Sequence, residues 1–220
     1  MVDIFREVDE DVRRDKLSAF WGRYGNLLIG LAVLSVAAMA GWQFWTNQKN
    51  KEAQALGAKF EQALKASRDA KPEDAETALA AIGASGTPGY QLVARFRLAG
   101  ETAKRDGAAG AVAFDALAAD SKLSTTFRDL ARLRAGTLRV DLLPYAELKP
   151  TLEPLAVPAN VWRHSAREML GVAALKANQF DEAGRWFDAI ITDQDAPAVL
   201  RQRTDLYLAL VRGGPVTVAP

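Results

Sequence analysis

The stretch WRHSAREMLGVAALKANQFDEAGRWFDAI, residues 162–190, contains two apolar-periodic segments on either side of a turn signal. Apolar residues recur at spacings of three and four in both segments, as on one face of an α-helix. Asn178 stands between the segments and marks the turn. The stretch therefore predicts a pair of helices joined by a short connection.

The first helix of this pair is repeated along the chain. Three copies have an aromatic residue four positions before an Ala-Arg pair, and a small residue five positions after that alanine. The copies begin at Tyr90 (YQLVARFRLA), Phe127 (FRDLARLRAG), Trp162 (WRHSAREMLG) and, more weakly, Leu200. The second helices are expected at about 108–119, 145–156 and 180–191. Helix pairs repeated at about 35 residues form α-solenoids, so the predicted fold class is all-α.

Small and aromatic residues recur where paired helices are expected to cross. In the last good repeat, Leu170-Gly171, Ala183, Phe187 and Ile190 have the spacing of the tetratricopeptide pattern. Small residues let the two helices approach, and the phenylalanine fills the remaining gap. The earlier repeats are more degenerate, so the solenoid is expected to be tetratricopeptide-like. The expected packing residues are Ala99, Gly136, Gly171, Ala183 and Phe187.

One arginine recurs in each repeat, at Arg95, Arg132 and Arg167. Stacked repeats would place these side chains in a row, and guanidinium groups bind the carboxylates of extended peptides well. These arginines are therefore candidate residues for binding a peptide or protein partner. The alternative, which is the commoner arrangement, is a set of ion pairs within the solenoid or a solvated face.

Residues 27–45, LLIGLAVLSVAAMAGWQFW, form a run without any charge. At helical rise this run is about 28 Å long, close to the thickness of a bilayer's hydrocarbon core. It predicts a transmembrane helix. The side chains expected at the lipid are Leu27, Ile29, Leu31, Val33, Leu34 and Val36, with Trp42 and Trp45 at the interface. A cleaved signal peptide is the alternative, because Ala38-Met39-Ala40 matches a cleavage pattern. Against it, 26 residues of mixed charge precede the run.

Lysine and arginine residues near the span number four before it and three after it. This small bias favours a cytoplasmic N-terminus and a large C-terminal part on the other side. Residues 1–25 carry apolar residues at helical spacing, which fits either an amphipathic helix on the membrane surface or a frayed tail.

Five segments are expected. They are a cytoplasmic amphipathic tail at 1–26, the transmembrane helix at 27–45, connecting helices at 46–89, repeats at 90–210 and a disordered tail at 211–220. A long helix is expected to continue from the span to about Ala70, and a second helix to begin at Pro72. The glycine-rich stretch from Gly83 to Gly89 is expected to be a loop between helices.

The composition excludes several kinds of chemistry. Lysine plus arginine total 28 against 27 acidic residues, so no basic excess indicates a nucleic-acid binder. Cysteine is absent and His164 is the single histidine, which excludes thiolate and multi-histidine sites. His164 is expected to be an ordinary surface or inter-repeat residue, and Asp193-Gln194-Asp195 a polar turn. We expect no catalytic residues, no metal, no cofactor and no small-molecule substrate.

The N-terminal part resembles a known family. Phe20 to Gly25 reads FWGRYG, and the apolar run ends in Gly41-Trp42-Gln43-Phe44-Trp45 before the long helix and the repeats. This arrangement is similar to the YfgM-like family of bacteria, an ancillary subunit of the Sec translocon. The resemblance implies a non-enzymatic protein in the inner membrane, with its C-terminal domain in the periplasm. It also implies Sec translocon subunits and a membrane-anchored periplasmic chaperone as partners.

Two other readings of the sequence remain open. One is a tethered repeat scaffold in a different envelope assembly, such as division or outer-membrane biogenesis. The other is a membrane-bound enzyme, which would need a polar cluster that the sequence does not offer.

Overall fold

A computed structural model describes the backbone of residues 3–214 and the side chains of residues 21–27 and 29–214. Over these residues the chain is helical and contains no strand, so the all-α prediction is confirmed. The helices are α1 (Asp3–Arg68), α2 (Pro72–Ser85), α3 (Pro88–Arg105), α4 (Gly107–Ala119), α5 (Thr125–Arg139), α6 (Tyr145–Leu152), α7 (Arg163–Lys176), α8 (Phe180–Ile191) and α9 (Ala198–Gly213). A 3₁₀ helix at Glu153–Leu155 follows α6.

The chain divides into two compact units, Met1–Gly57 and Ala58–Pro220. Helix α1 contributes to both, since it continues to Arg68 as the sequence predicts. Among the described residues one helical stretch, Trp21–Arg68, is long and apolar enough to cross a membrane. The amphipathic character predicted for residues 1–20 concerns side chains outside the described residues.

The second unit is a solenoid of helix pairs. The first helices of the pairs, which we call the A helices, are the end of α1 and helices α3, α5 and α7. The B helices are α2, α4, α6 and α8, and α9 stands at the end. The A helices α5 and α7 run parallel: Trp162 Nε1 donates to the carbonyl of Thr126 at 3.0 Å, and Thr137 Oγ1 lies 3.5 Å from Met169 Sδ further along both helices.

The solenoid begins earlier in the chain than Tyr90, where the sequence predicts the first repeat. Ala63 of α1, Leu79 and Ile82 of α2, and Ala94 of α3 are buried together in one apolar cluster. Burial of this kind joins the end of α1 and α2 to the array as its first helix pair. Residues 58–89 are therefore part of the solenoid rather than a connector to it.

Local signals explain where helices begin. Asp106 caps α4, since its Oδ1 accepts hydrogen bonds from the backbone N–H of Ala108 at 2.9 Å and of Ala109 at 3.0 Å. Prolines occupy the first turns of α2 and α3, where a missing N–H removes no helical hydrogen bond. Asn178 has φ of 57°, the left-handed conformation that reverses the chain between α7 and α8.

Two predicted boundaries in the middle of the chain differ from those observed. The glycine-rich connection is shorter than Gly83–Gly89, because only Gly86 and Thr87 lie between α2 and α3. The helix predicted over 145–156 ends at Leu152 and continues as the 3₁₀ helix. Pro154 explains this end, since proline cannot donate the backbone hydrogen bond that an α-helix needs there.

The C-terminal boundary also differs from the prediction. Helix α9 continues to Gly213, past the boundary expected at residue 210, and Val211 packs against the buried core. Residues 215–220, which include most of the predicted disordered tail, lie outside the described residues.

Candidate functional site

The crossing of α7 and α8 is built from the glycine and the phenylalanine that the sequence pattern selects. A Cβ placed on Gly171 would lie 2.5 Å from Cε1 of Phe187, well inside van der Waals contact. Phe187 and Ala183 have no exposed surface. The glycine therefore creates the space that the phenylalanine ring occupies.

The same contact recurs in the preceding repeat. A Cβ on Gly136 would lie 2.6 Å from Cδ2 of Leu152, so a leucine takes the place of the phenylalanine. In the repeat before that, Ala99 and Phe114 are buried in one cluster. All five predicted packing residues are buried, and Gly136, Gly171 and Phe187 lie at helix crossings.

Gly110 is a packing residue that is not among those predicted from the sequence. A Cβ there would lie 2.3 Å from Cβ of Ala103 on α3. The signal was present in the sequence, since Gly110 is followed by an apolar helical period that continues to Ala119.

The recurring arginines make contacts within the solenoid. Arg95 Nη1 lies 2.7 Å from Asp120 Oδ2, and Arg132 Nη1 lies 2.7 Å from Asp129 Oδ1. Asp129 also accepts a 2.9 Å hydrogen bond from Asn160 Nδ2. These contacts favour the ion-pair alternative, and partner binding by Arg95 and Arg132 stays a prediction.

Arg167 is the most enclosed of the three recurring arginines, with 8% of its side chain exposed. Its Nε donates to the carbonyl of Ala156, and its Nη1 to the carbonyl of Ala189, both at 2.9 Å. Nη1 also lies 2.9 Å from Asp193 Oδ2. Arg167 thus ties α7 to the segments that follow α6 and α8, which leaves little of its guanidinium for a partner.

Asp193 is the centre of a cluster of charges in the turn before α9. Arg163 Nε lies 2.7 Å from its Oδ2, and Nε2 of His164 lies 3.0 Å from the same oxygen. Arg163 also pairs with Asp195 at 2.9 Å. The Arg163 guanidinium, together with His164 and Arg167, holds the pKa of Asp193 far below its usual range. The polar turn of the sequence analysis is therefore an anchor for α7, and its carboxylates bind arginines.

A second charge network links α6 to α8. Glu182 accepts from the Tyr145 hydroxyl and from Lys149 Nζ, each at 2.8 Å, and Trp186 Nε1 donates to the Tyr145 oxygen at 2.9 Å. The Lys149 ammonium and the Tyr145 hydroxyl lower the pKa of Glu182, while burial raises that of Tyr145. Both networks connect successive repeats.

The predicted span residues are exposed in the structure. Each is more than half exposed. They are Leu27, Ile29, Leu31, Val33, Leu34, Val36, Trp42 and Trp45. Lys49 Nζ lies 3.5 Å from the centroid of the Trp45 ring, a cation–π contact one turn beyond the apolar run. A continuous apolar helix that its own protein unit leaves uncovered suits a lipid environment.

An apolar groove runs along the A helices of the first three pairs. It has a volume of about 760 Å³ and lies between the last turns of α1 and helices α3 and α5. We call it the α1–α3–α5 groove. The apolar side chains that form most of its surface include Phe60, Leu64, Leu92, Val93, Phe96 and Phe127. The rings of Phe96 and Phe127 are 6.2 Å apart between centroids and bridge α3 to α5.

Three basic side chains, Arg97, Lys104 and Arg134, line the groove, and no acidic residue is among its described lining. Behind them lies Glu101, which is 3% exposed. Its carboxylate lies 2.8 Å from both Arg97 Nε and Lys104 Nζ. Burial alone would raise the pKa of Glu101, but these cations and their hydrogen bonds lower it below its usual value. Arg134 has no ion pair within the part of the chain that the structure describes.

The sequence analysis did not find the α1–α3–α5 groove. A signal for it is present in α3, which has two apolar stripes where a helix on the surface needs one. Ala94 and Ala99 face the core, whereas Leu92, Val93 and Phe96 line the groove. The second stripe indicates a surface prepared for another contact.

The residues considered for catalysis or metal binding lie in packing contacts between repeats. Among the residues that the structure describes, no group of three or more histidine or acidic side chains is arranged to hold a metal ion. His164 is 14% exposed and belongs to the Asp193 cluster, between repeats.

Stacked helix pairs with a groove along their A helices define a helical-repeat protein, whose class generally serves protein–protein interaction rather than catalysis. The family model described as a tetratricopeptide repeat-like domain matches residues 18–208. That is most of the chain, which therefore belongs to this family. No curated protein and no solved structure matches the chain.

Proposed function

We propose that this protein is a membrane-tethered interaction module that acts beside the Sec protein-translocation channel and links it to a membrane-anchored periplasmic chaperone. The observation that carries the interaction role is the α1–α3–α5 groove, an apolar and basic surface on a tetratricopeptide-like solenoid. The partners are proposed from the resemblance of the FWGRYG and GWQFW segments to the YfgM-like family.

Tethering gives weak contacts an advantage. A surface joined by one chain to a membrane helix meets other membrane-bound proteins at an effective concentration far above that of a free protein. In this proposal α1 crosses the inner membrane over residues 27–45. The N-terminus is cytoplasmic and the repeats are periplasmic, as the small charge bias favours.

Photo-crosslinking in living bacterial cells tests the partner. Val93 lies in the groove and is 50% exposed, whereas Val112 on α4 is 63% exposed and lies outside it. A photoreactive phenylalanine at position 93 should crosslink to a translocon subunit or to a membrane-anchored chaperone, and the same residue at position 112 should not. Products with division or outer-membrane assembly proteins would replace the proposal with the alternative scaffold role.

Orientation is tested separately by the protease sensitivity of a C-terminal tag in spheroplasts. Cleavage of the tag while the membrane is intact is the expected result. Protection until the membrane is broken would place the repeats in the cytoplasm, and the periplasmic role would then be wrong.

A further inference from the structure

The chemistry of the α1–α3–α5 groove restricts the kind of chain segment that it can hold. The groove is formed by helices, whose backbone N–H and C=O groups already bond within each helix. An extended peptide lying there would bury its own backbone polar groups against Val93, Phe96 and Phe127. Each group left without a hydrogen bond would weaken the binding of such a peptide. A helix satisfies its own backbone and presents only side chains, so it suits such a groove better.

The length of the groove matches a short helix. Its lining on α3 extends from Leu92 to Lys104, and on α5 from Phe127 to Leu138. At helical rise these stretches are about 17–18 Å long. A partner helix of about three turns lying along them would cover this length.

The charges indicate what flanks the partner's apolar face. Arg97 and Lys104 share one carboxylate, that of Glu101, and Arg134 has no ion pair among the described residues. The groove therefore carries an excess of positive charge. An acidic flank on the partner complements it, and a basic flank would be repelled.

We propose that the α1–α3–α5 groove binds an amphipathic helix of about three turns from a protein partner, with an apolar face toward Phe96 and Phe127 and an acidic flank toward Arg134. This inference rests on the proposed interaction function and names the chemistry of the segment that the site recognises.

The proposal is tested with designed peptides and the full chain in zwitterionic lipid nanodiscs. The probe is a fluorescent 14-residue helix, cross-linked to hold its conformation, with leucines on one face and glutamates on the flanks. Its binding is followed by anisotropy, with empty nanodiscs as the blank. The comparison peptides carry lysine flanks, a scrambled leucine period, or a central proline that breaks the helix.

The glutamate-flanked helix should bind at least about tenfold more tightly than each comparison peptide, as expected when apolar fit and charge both contribute. Arg134→Glu should weaken this binding about five- to tenfold and strengthen that of the lysine-flanked helix. Arg212→Glu, at an exposed arginine on α9 outside the groove, is the matched control and should change neither.

A steric variant tests the location without touching a charge. Gly100 lines the groove, and a Cβ built there meets no neighbouring group within 4 Å. Gly100→Leu should therefore keep the solenoid folded, as monitored by circular dichroism, and reduce helix binding at least about tenfold. Gly89→Leu is the control, because Gly89 is equally open and lies outside the groove.

Several results would overturn the proposal. They are equal binding of the helical and proline-broken peptides, unchanged binding after Gly100→Leu, or displacement of every peptide by an anionic lysophospholipid at low concentration. The last result would assign the groove to lipid. Crosslinks from position 93 to a partner protein, without binding of any designed helix, would leave the proposed function standing and refute the helix alone.

Discussion

The α7–α8 crossing and the α1–α3–α5 groove use a missing side chain in opposite ways. At the crossing, Gly171 leaves a space that Phe187 fills completely. In the groove, Gly100 leaves a space that no other group of the described chain enters. Gly100 is one residue after Ala99, the position equivalent to Gly171, and one residue turns a helix by about 100°. Ala99, like Gly171, therefore packs within its repeat, whereas Gly100 faces away from the helix crossing.

The two regions differ in their surroundings as well. The largest buried cluster extends over α5–α9 and includes Leu148, Leu152, Leu170, Phe187 and Ile190. The clusters under α1–α5 are smaller, and aromatic rings such as Phe127 remain 39% exposed. The α5–α9 end thus has the larger buried core, although Leu206 and Leu210 of α9 also remain exposed. The extent to which apolar side chains are buried by the protein's own packing therefore varies along the repeat array.

The largest expected effect is that of truncating the aromatic side chain that fills the α7–α8 crossing. Phe187→Ala should reduce the free energy of unfolding by about 3–5 kcal/mol, because it empties a fully enclosed space. Phe127→Ala in the groove should cost less than half of that. Urea denaturation of the full chain in detergent micelles, followed by circular dichroism, measures both. Equal losses would show that the groove aromatics support the fold as much as the crossing does.

The two glycines should respond to alanine with opposite signs. Gly171→Ala should destabilise the solenoid by about 1–3 kcal/mol, because its Cβ would overlap the Phe187 ring. Gly100→Ala should stabilise it by about 0.5–1 kcal/mol, since alanine costs less backbone entropy than glycine in the middle of a helix. Thermal unfolding of both variants gives the signs, and a shared sign would contradict the comparison.

The smallest expected effect is a change of stability with pH. It arises at the α7–α9 end of the solenoid and not in the groove. The pKa of Asp193 is lowered in the folded protein, so its contribution to stability is present above about pH 4, the ordinary aspartate value, and is lost as pH falls below it. Asp193→Asn should be less stable than the wild type at pH 7, and the difference between the two urea midpoints should begin to shrink only as pH falls below about 4. Asp205→Asn, at an exposed residue without an ion pair among the described residues, is the control. A difference that stays constant as pH falls from about 4 toward 2 would show that Asp193 does not act through its charge.

Much of the local structure could be predicted from the sequence. The apolar period of each helix, the prolines at helix starts and the Asn178 turn are properties of a few consecutive residues, and the structure has helices where they predict them. The pairing of Gly171 with Phe187 was also predictable, because the two residues are on adjacent helices joined by a short turn. The 19-residue uncharged run predicts an apolar helix from its length alone.

Other features depend on contacts between distant parts of the chain. One such feature is the inclusion of the end of α1 in the first helix pair. Another is the choice of partners by the recurring arginines. Arg167, for example, donates hydrogen bonds to Ala156, which precedes it in the chain, and to Asp193, which follows it. Such contacts depend on which helix faces meet after the chain has folded back on itself.

The helices, their pairing and the apolar N-terminal run follow from the period and composition of neighbouring residues, so they could be predicted before the chain was folded. The α1–α3–α5 groove, which three A helices leave open between them, could be recognised only in the folded protein. The physical reason is that a groove is made by the relative placement of helices from Phe60 to Leu138, and no local pattern encodes the distance between them.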